Sequence, residues 1–144
     1  MSELTDRDKA LLGPTDPATQ RGVRNGEPDL TATRALVVEA ARLLHNRHCE
    51  EVIAFDVSQL SQLTDYILIG SGTSDRQMRS IEDEMIALFG THGLQTYGSE
   101  RDPNTTWFVL DFVDVMIHLF EPNTRAHYDL EMLWGDAPKV HWQQ

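Results

Sequence analysis

The chain has 144 residues, 40% of them hydrophobic, which suffices for one core and hardly for two. Its single cysteine, Cys49, allows no internal disulfide, and with neither a charged-then-apolar leader nor an apolar run of about eighteen residues, the expectation is a cytoplasmic protein without membrane contact. The formal charge is −11, of which residues 30–144 carry −9 (17 acidic and 8 basic side chains); such a surface repels nucleic acid phosphates and favours a basic protein as partner.

Residues 1–29 hold Gly13-Pro14, Pro17, Gly22, Asn25-Gly26 and Pro28 among alternating charges, and predict a mobile tail before a domain spanning 30–144. From Thr31, Leu36, Ala40, Leu43 and Leu44 recur at helical spacing through "TRALVVEAARLLHNRH", with Asp29 or Thr31 as cap. "EVIAFDV" and "DYILIGSG" are short, apolar and rich in Val, Ile, Phe and Tyr, as strands are. In "TSDRQMRSIEDEMIALFG", Met78, Ile81, Met85 and Leu88 make one apolar stripe opposite Arg79, Glu82 and Asp83. Ser74 with Gln77 forms a capping box at its start.

After Gly90 and Gly93, "LQTYG" predicts a short strand, followed by a polar loop, the adjacent strands "TWFVLD" and "DVMIHLF", and a closing helix "NTRAHYDLEMLWG" ending at Gly135. This order implies an α/β protein of α+β type, a mixed sheet with helices mainly on one face.

With Phe112-Val113 as the hairpin loop, Asp111 faces Asp114 and Trp107 faces His118. Alternation then sorts Phe108, Leu110, Val115, Ile117 and Leu119 onto an apolar core face, and Trp107, Asp111, Asp114, His118 and Phe120 onto the other. Large amphipathic groups and acids there suit a partner-binding face with Trp107 as anchor. The alternative is that Trp107 only covers His118 and the core edge. Phe-Val is poor chemistry for a tight primed turn, since neither residue accepts positive φ cheaply.

Three catalytic or metal readings are weaker. A Gly-Ser loop before a helix with carboxylates on a following strand is the layout of a metal-dependent nucleotidyl transferase, but Asp111 and Asp114 are three residues apart across a turn, where two ligands on one strand need i and i+2. No Lys follows "GSGTSDRQ" to meet phosphates, so Ser74 reads as a helix cap. His45, His48 and Cys49 lack a second ligand pair for zinc, and nothing local activates the thiol. No metal, cofactor or catalytic residue is expected.

"TDYILIGSGTSDRQ", "WFVLDFVDVMIHLF" and "RAHYDLEMLWGD", in this order, resemble the Iojap-related family of ribosomal silencing factors (RsfS), from about Thr33 to Asp136. The resemblance implies a nucleotidyltransferase-like fold without the catalytic set, and a non-enzymatic protein. It implies binding to ribosomal protein fourteen of the large subunit, a block on small-subunit joining when nutrients are scarce, and a homodimer when free. Carried over to matching positions, the partner surface comprises Asp65, Tyr66, Trp107, Asp111, Asp114, His118, Phe120, Tyr128, Glu131 and Trp134. Of these, Tyr66 and Trp134 are the ones that an apolar strand and a helix end would bury. The family often has Gly where Val113 stands, which changes the hairpin tip.

Overall fold

A run such as Tyr66-Ile67-Leu68-Ile69 has no polar face to offer water, and in the computed structural model it lies mid-sheet, covered on both sides. Residues 30–94, 98–101 and 107–143 are described. They form helix α1 (Leu30–Asn46), strands β1 (Glu50–Asp56) and β2 (Tyr66–Ser71), helix α2 (Asp75–Thr91), strands β3 (Gly98–Arg101), β4 (Trp107–Asp111) and β5 (Val115–Phe120), and two short helices, α3 (Pro122–Tyr128) and α4 (Leu130–Leu133). The expected tail, the Asp29 cap and the middle of "LQTYG" lie outside them; the strand found in that region is Gly98–Arg101. Among the described residues no helix is long and apolar enough to cross a membrane.

The five strands form one sheet in the order β1-β2-β5-β4-β3, in which β2 and β5 are parallel and the other pairs antiparallel, the mixed sheet that the element order implies. Helices α1 and α2 cover one face: Leu36, Val37, Ala40, Ala41 and Leu44 from α1 and Met78, Ile81, Met85 and Phe89 from α2 pack on Leu68, Phe108, Leu110, Val115, Ile117 and Leu119. Small residues on both sides allow close approach, since a Cβ at Gly70 would sit 3.2 Å from Leu44 Cδ1. On the opposite face Phe55, Ile67, Ile69, Trp107, Val109 and Phe120 are covered by Leu130, Trp134 and Ala137.

Several local expectations change. Glu82 is buried instead of facing water, and its Oε2 accepts from Ser99 Oγ at 3.1 Å. The closing helix breaks at Asp129, whose φ of 47° ends α3 while its side chain accepts from Met132 N to start α4. The hairpin register is displaced by two residues: Asp111 pairs with Met116, not Asp114, and Trp107 with Phe120, not His118. An even displacement keeps every side chain on its expected face, so both face assignments hold.

The cause of the displacement is Phe112. It is 1% exposed and stacks on Phe89 with centroids 4.0 Å apart, so it joins the core as a paired residue, donating its N–H to Val115 O at 2.9 Å. The turn moves to Val113-Asp114. There Asp114 N donates to Phe112 O at 2.8 Å across Val113, whose φ is 70°, the geometry of a strained γ-turn. Burying a phenylalanine is worth about 1.5–3 kcal/mol and an aromatic pair about 0.5–1.5 kcal/mol more, which outweighs about 1–3 kcal/mol of local backbone strain.

The N-terminus of α2 is capped as its sequence predicts. Ser74 Oγ accepts from Gln77 N at 3.1 Å, and Gln77 Oε1 accepts from Thr73 N at 2.7 Å, so the capping box forms. Cys49 lies buried just beyond α1, and burial alone pushes its thiol up to about 11. Burial also pushes the Tyr66 phenol up, with Asp56 adding to it and the Arg34 hydrogen bond opposing.

Val113→Gly should relieve the positive φ and, after the added freedom of the unfolded glycine, raise stability by about 1 kcal/mol, read as a higher melting temperature. Cys49 and Tyr66 are both held neutral, so the unfolded chain loses these protons first and stability should decline as pH rises from about 9 towards 11, less steeply in Cys49→Ala. At pH 8 only about one thiol in a thousand is ionised in the folded state, so a thiol reagent should label Cys49 at the rate of unfolding.

Candidate partner-binding face

The sheet face away from α1 and α2 carries most of the residues singled out in the sequence. Because Trp107 pairs with Phe120, the two rings stack, centroids 4.8 Å apart and planes 25° apart, and His118 lies diagonally across the strands. The Trp107 Nε1–H donates to His118 Nδ1 at 3.3 Å, which requires an unprotonated Nδ1. His118 in turn lies nearly parallel to Phe120, 6.0 Å away. All three are at most 2% exposed, so the trio is the floor of the face and supplies rigidity. Trp107 thus does cover His118, and does so from inside the second core cluster.

The turn end of this hairpin is acidic. Asp111 Oδ1 accepts from Val113 N at 2.8 Å, closing the tip as an Asx turn does. The carbonyl of Asp114 receives two N–H groups, from Asp65 at 3.0 Å and Tyr66 at 3.1 Å, which pins the tip to the start of β2. Asp65 and Asp111 are buried while Asp114 is half-buried, so Asp114 is the most accessible of the three. Tyr66 points the other way, into the core under α1 and α2.

At the far edge, Trp134 is 6% exposed and packs in the same cluster as Trp107 and Phe120. Glu131 is half-buried; its Oε1 accepts from Arg125 Nε at 2.6 Å. The side chain of Tyr128 lies outside the described residues. The structure therefore gathers Trp107, His118, Phe120 and Trp134 on one face, sets Asp65, Asp111 and Asp114 at the hairpin end, and sends Tyr66 to the opposite core.

Sequence reasoning passed over two features. Arg125 is 4% exposed, and besides Glu131 it donates to Ser71 Oγ at 2.9 Å, so it ties α3, α4 and β2 together. A buried charge held by a carboxylate and a hydroxyl is positioned, and breaking the pair is expensive. Met132 and Leu133 are 79% and 44% exposed beside Trp134. The signal for them was present in "LEMLW", which holds more apolar residues than one buried stripe needs.

The glycine of the turn before α2 has a packing role. A Cβ at Gly72 would lie 2.5 Å from Met78 Cγ, so this glycine makes room for a core methionine. Among the described residues no three of His, Cys, Asp and Glu cluster as metal donors.

Comparison with known proteins agrees with this architecture. The profile of the family described as "RsfS: Ribosomal silencing factor during starvation" matches residues 30–144. The ribosomal silencing factor RsfS of Bacillus subtilis is 33% identical over 105 residues, which cover 73% of this chain and 89% of that one. The mouse protein named "Mitochondrial assembly of ribosomal large subunit protein 1" is 30% identical over 98 residues, covering 64% of this chain and 42% of that one. Among solved structures, a Chromobacterium violaceum protein superposes with a TM-score of 0.65 at 27% identity, covering 75% of this chain and 88% of that one. One from Bacillus halodurans gives 0.61 at 29% identity, covering 77% and 98%. The motifs, the sheet and these matches agree, and the chain belongs to the RsfS family of ribosomal silencing factors.

Proposed function

We propose that this protein is a non-enzymatic silencing factor that binds the large ribosomal subunit through ribosomal protein fourteen, blocks joining of the small subunit and so slows translation when nutrients are scarce. It acts in the cytoplasm and is a homodimer when free. The observation that carries the reading is the face just described. A stiff aromatic floor of Trp107, His118 and Phe120 joins an acidic hairpin end, and α4 beside it exposes Met132 and Leu133.

Exposed Met132 beside half-buried Glu131, with the acidic hairpin end on the same domain, suits a basic protein surface: charge steers the approach and the apolar side chains make the dry contact. The names of the bacterial relatives and of the mouse relative support a ribosomal partner, the latter the large subunit in particular. The enzyme reading has less to stand on, because Asp111 serves the turn and Gly72 serves Met78.

Pelleting with isolated subunits checks the proposal: the protein should sediment with large subunits and not with small ones, and less so as salt rises. Sedimentation with small subunits alone would overturn it. Asp114→Asn should slow association roughly a few-fold and leave melting unchanged, since it removes a charge from a half-buried group and keeps the backbone contacts.

Two substitutions on the face should separate support from contact. Trp107→Ala removes a buried ring and a hydrogen bond, so it should act through stability, at about 3–5 kcal/mol. Met132→Ser should leave melting unchanged and weaken large-subunit binding by about 1–2 kcal/mol. Full-strength binding by the Met132 variant would move the contact elsewhere on the surface.

A further inference from the structure

Beyond Gly135 the chain crosses from the second face to the free edge of β1 and runs along it. Asp56 N donates to Pro138 O at 2.8 Å, Val140 N donates to Ala54 O at 2.8 Å, and the indole Nε1 of Trp142 donates to Val52 O at 3.2 Å. Lys139 thereby faces Phe55 in an antiparallel bridge. Positions 52, 54 and 56 are the alternate residues of β1 whose backbone groups point away from β2, so the segment occupies the edge as a sixth strand would.

The occupation is incomplete. Proline 138 has no N–H to return to β1, and the last of the three bonds comes from a side chain, because β1 is irregular between Glu50 and Ile53, with φ of 50° at Glu51. An open groove of about 300 Å³ runs beside the junction, lined by Val52, Ile53 and Ala54 of the edge and by Val140 and His141 of the segment. Two apolar side chains, Val140 and Trp142, are buried at alternate positions, while Lys139 and His141, which alternate with them, are exposed. The ends of β1 carry acids, exposed Glu50 and Glu51 at one end and half-buried Asp56 at the other, the last shared with Arg34 at 3.9 Å. A latch holds the far end, where Arg42 Nε donates to the carbonyl of Trp142 at 2.8 Å and His45 packs on the indole, 5.5 Å between centroids.

An acidic edge filled by a basic segment with apolar residues at every second place has the arrangement of a strand-addition site holding a ligand in cis. We infer that the edge of β1 is a second interaction surface, separate from the hairpin face, that takes a basic extended polypeptide segment with alternating apolar residues, and that residues 138–142 occupy it until such a segment displaces them. Charge complementarity selects this occupant over a second copy of the chain. Two β1 strands brought edge to edge in antiparallel fashion would set Glu50 and Glu51 of each near Asp56 of the other.

The test uses the full chain and a fluorescein-labelled heptapeptide, Ala-Pro-Lys-Val-His-Trp-Gln, followed by anisotropy. The unaltered chain holds its own segment at millimolar effective concentration and should bind the peptide weakly. Arg42→Gln, which removes the latch, and Trp142→Ala, which removes the indole, should each bind it at least about tenfold more tightly. A peptide with glutamate in place of the lysine and histidine should bind at least about tenfold more weakly. Hydrogen exchange of the unaltered chain supplies a reading independent of any variant. The amides of Asp56 and Val140 should exchange together and well ahead of those of Leu68 and Ile69 in β2. Protection of Val140 equal to that of Ile69, no gain of peptide binding in a folded Arg42→Gln protein, or equal binding of the charge-swapped peptide would each overturn the inference and make the segment a permanent edge strand.

Discussion

Everything at the hairpin depends on where one phenylalanine goes. Phe112 has two places available, the turn or the core. The stack on Phe89 draws it into the core at the expense of a strained Val113. Once Phe112 is paired, the turn closes around Val113 and Asp114, and the Asp114 carbonyl reaches the start of β2. Trp107 then lands on Phe120 and its indole N–H finds His118 on the diagonal. A register two residues shorter would have kept the faces and lost these contacts.

The sheet divides the labour of the molecule. One face is an ordinary helix-covered core, in which alanines and Gly70 let α1 settle close. The other is covered more thinly, by two short helices and the turn after them, yet it is just as dry at its centre. Short helices hold little intrinsic stability. Here α3 and α4 are secured by the αL kink at Asp129 and by Arg125, which reaches Glu131 and Ser71 at once. The result is a stiff face with a buried Arg125 tying it together and the loose apolar side chains of Met132 and Leu133 at its rim.

The same economy accounts for the glycine-serine turn and the paired aspartates. A glycine-serine turn entering a helix is what a phosphate site needs, and it is also what a methionine core needs when its side chain must pass under the turn. A pair of aspartates by a hairpin can hold metal, or can fold the hairpin. Asp111 does the second, its side-chain carboxylate accepting the N–H of Val113.

Sequence by itself determined the elements, their order and the parity of each strand, because the spacing of apolar residues follows directly from the 3.6- and 2-residue repeats of helix and strand. It determined the family as well, through three motifs whose residues are mostly core. Tertiary structure alone decided the register, the kink at Asp129, the burial of Trp107, His118 and Phe120, and the path of residues 138–142 along β1. Each of these is a competition between distant partners: Phe112 against Val113, an Arg125 shared by three elements, an edge strand against a segment far from it in sequence. Local patterning ranks what a residue can do, and only the assembled neighbours set which of those options has the lowest free energy.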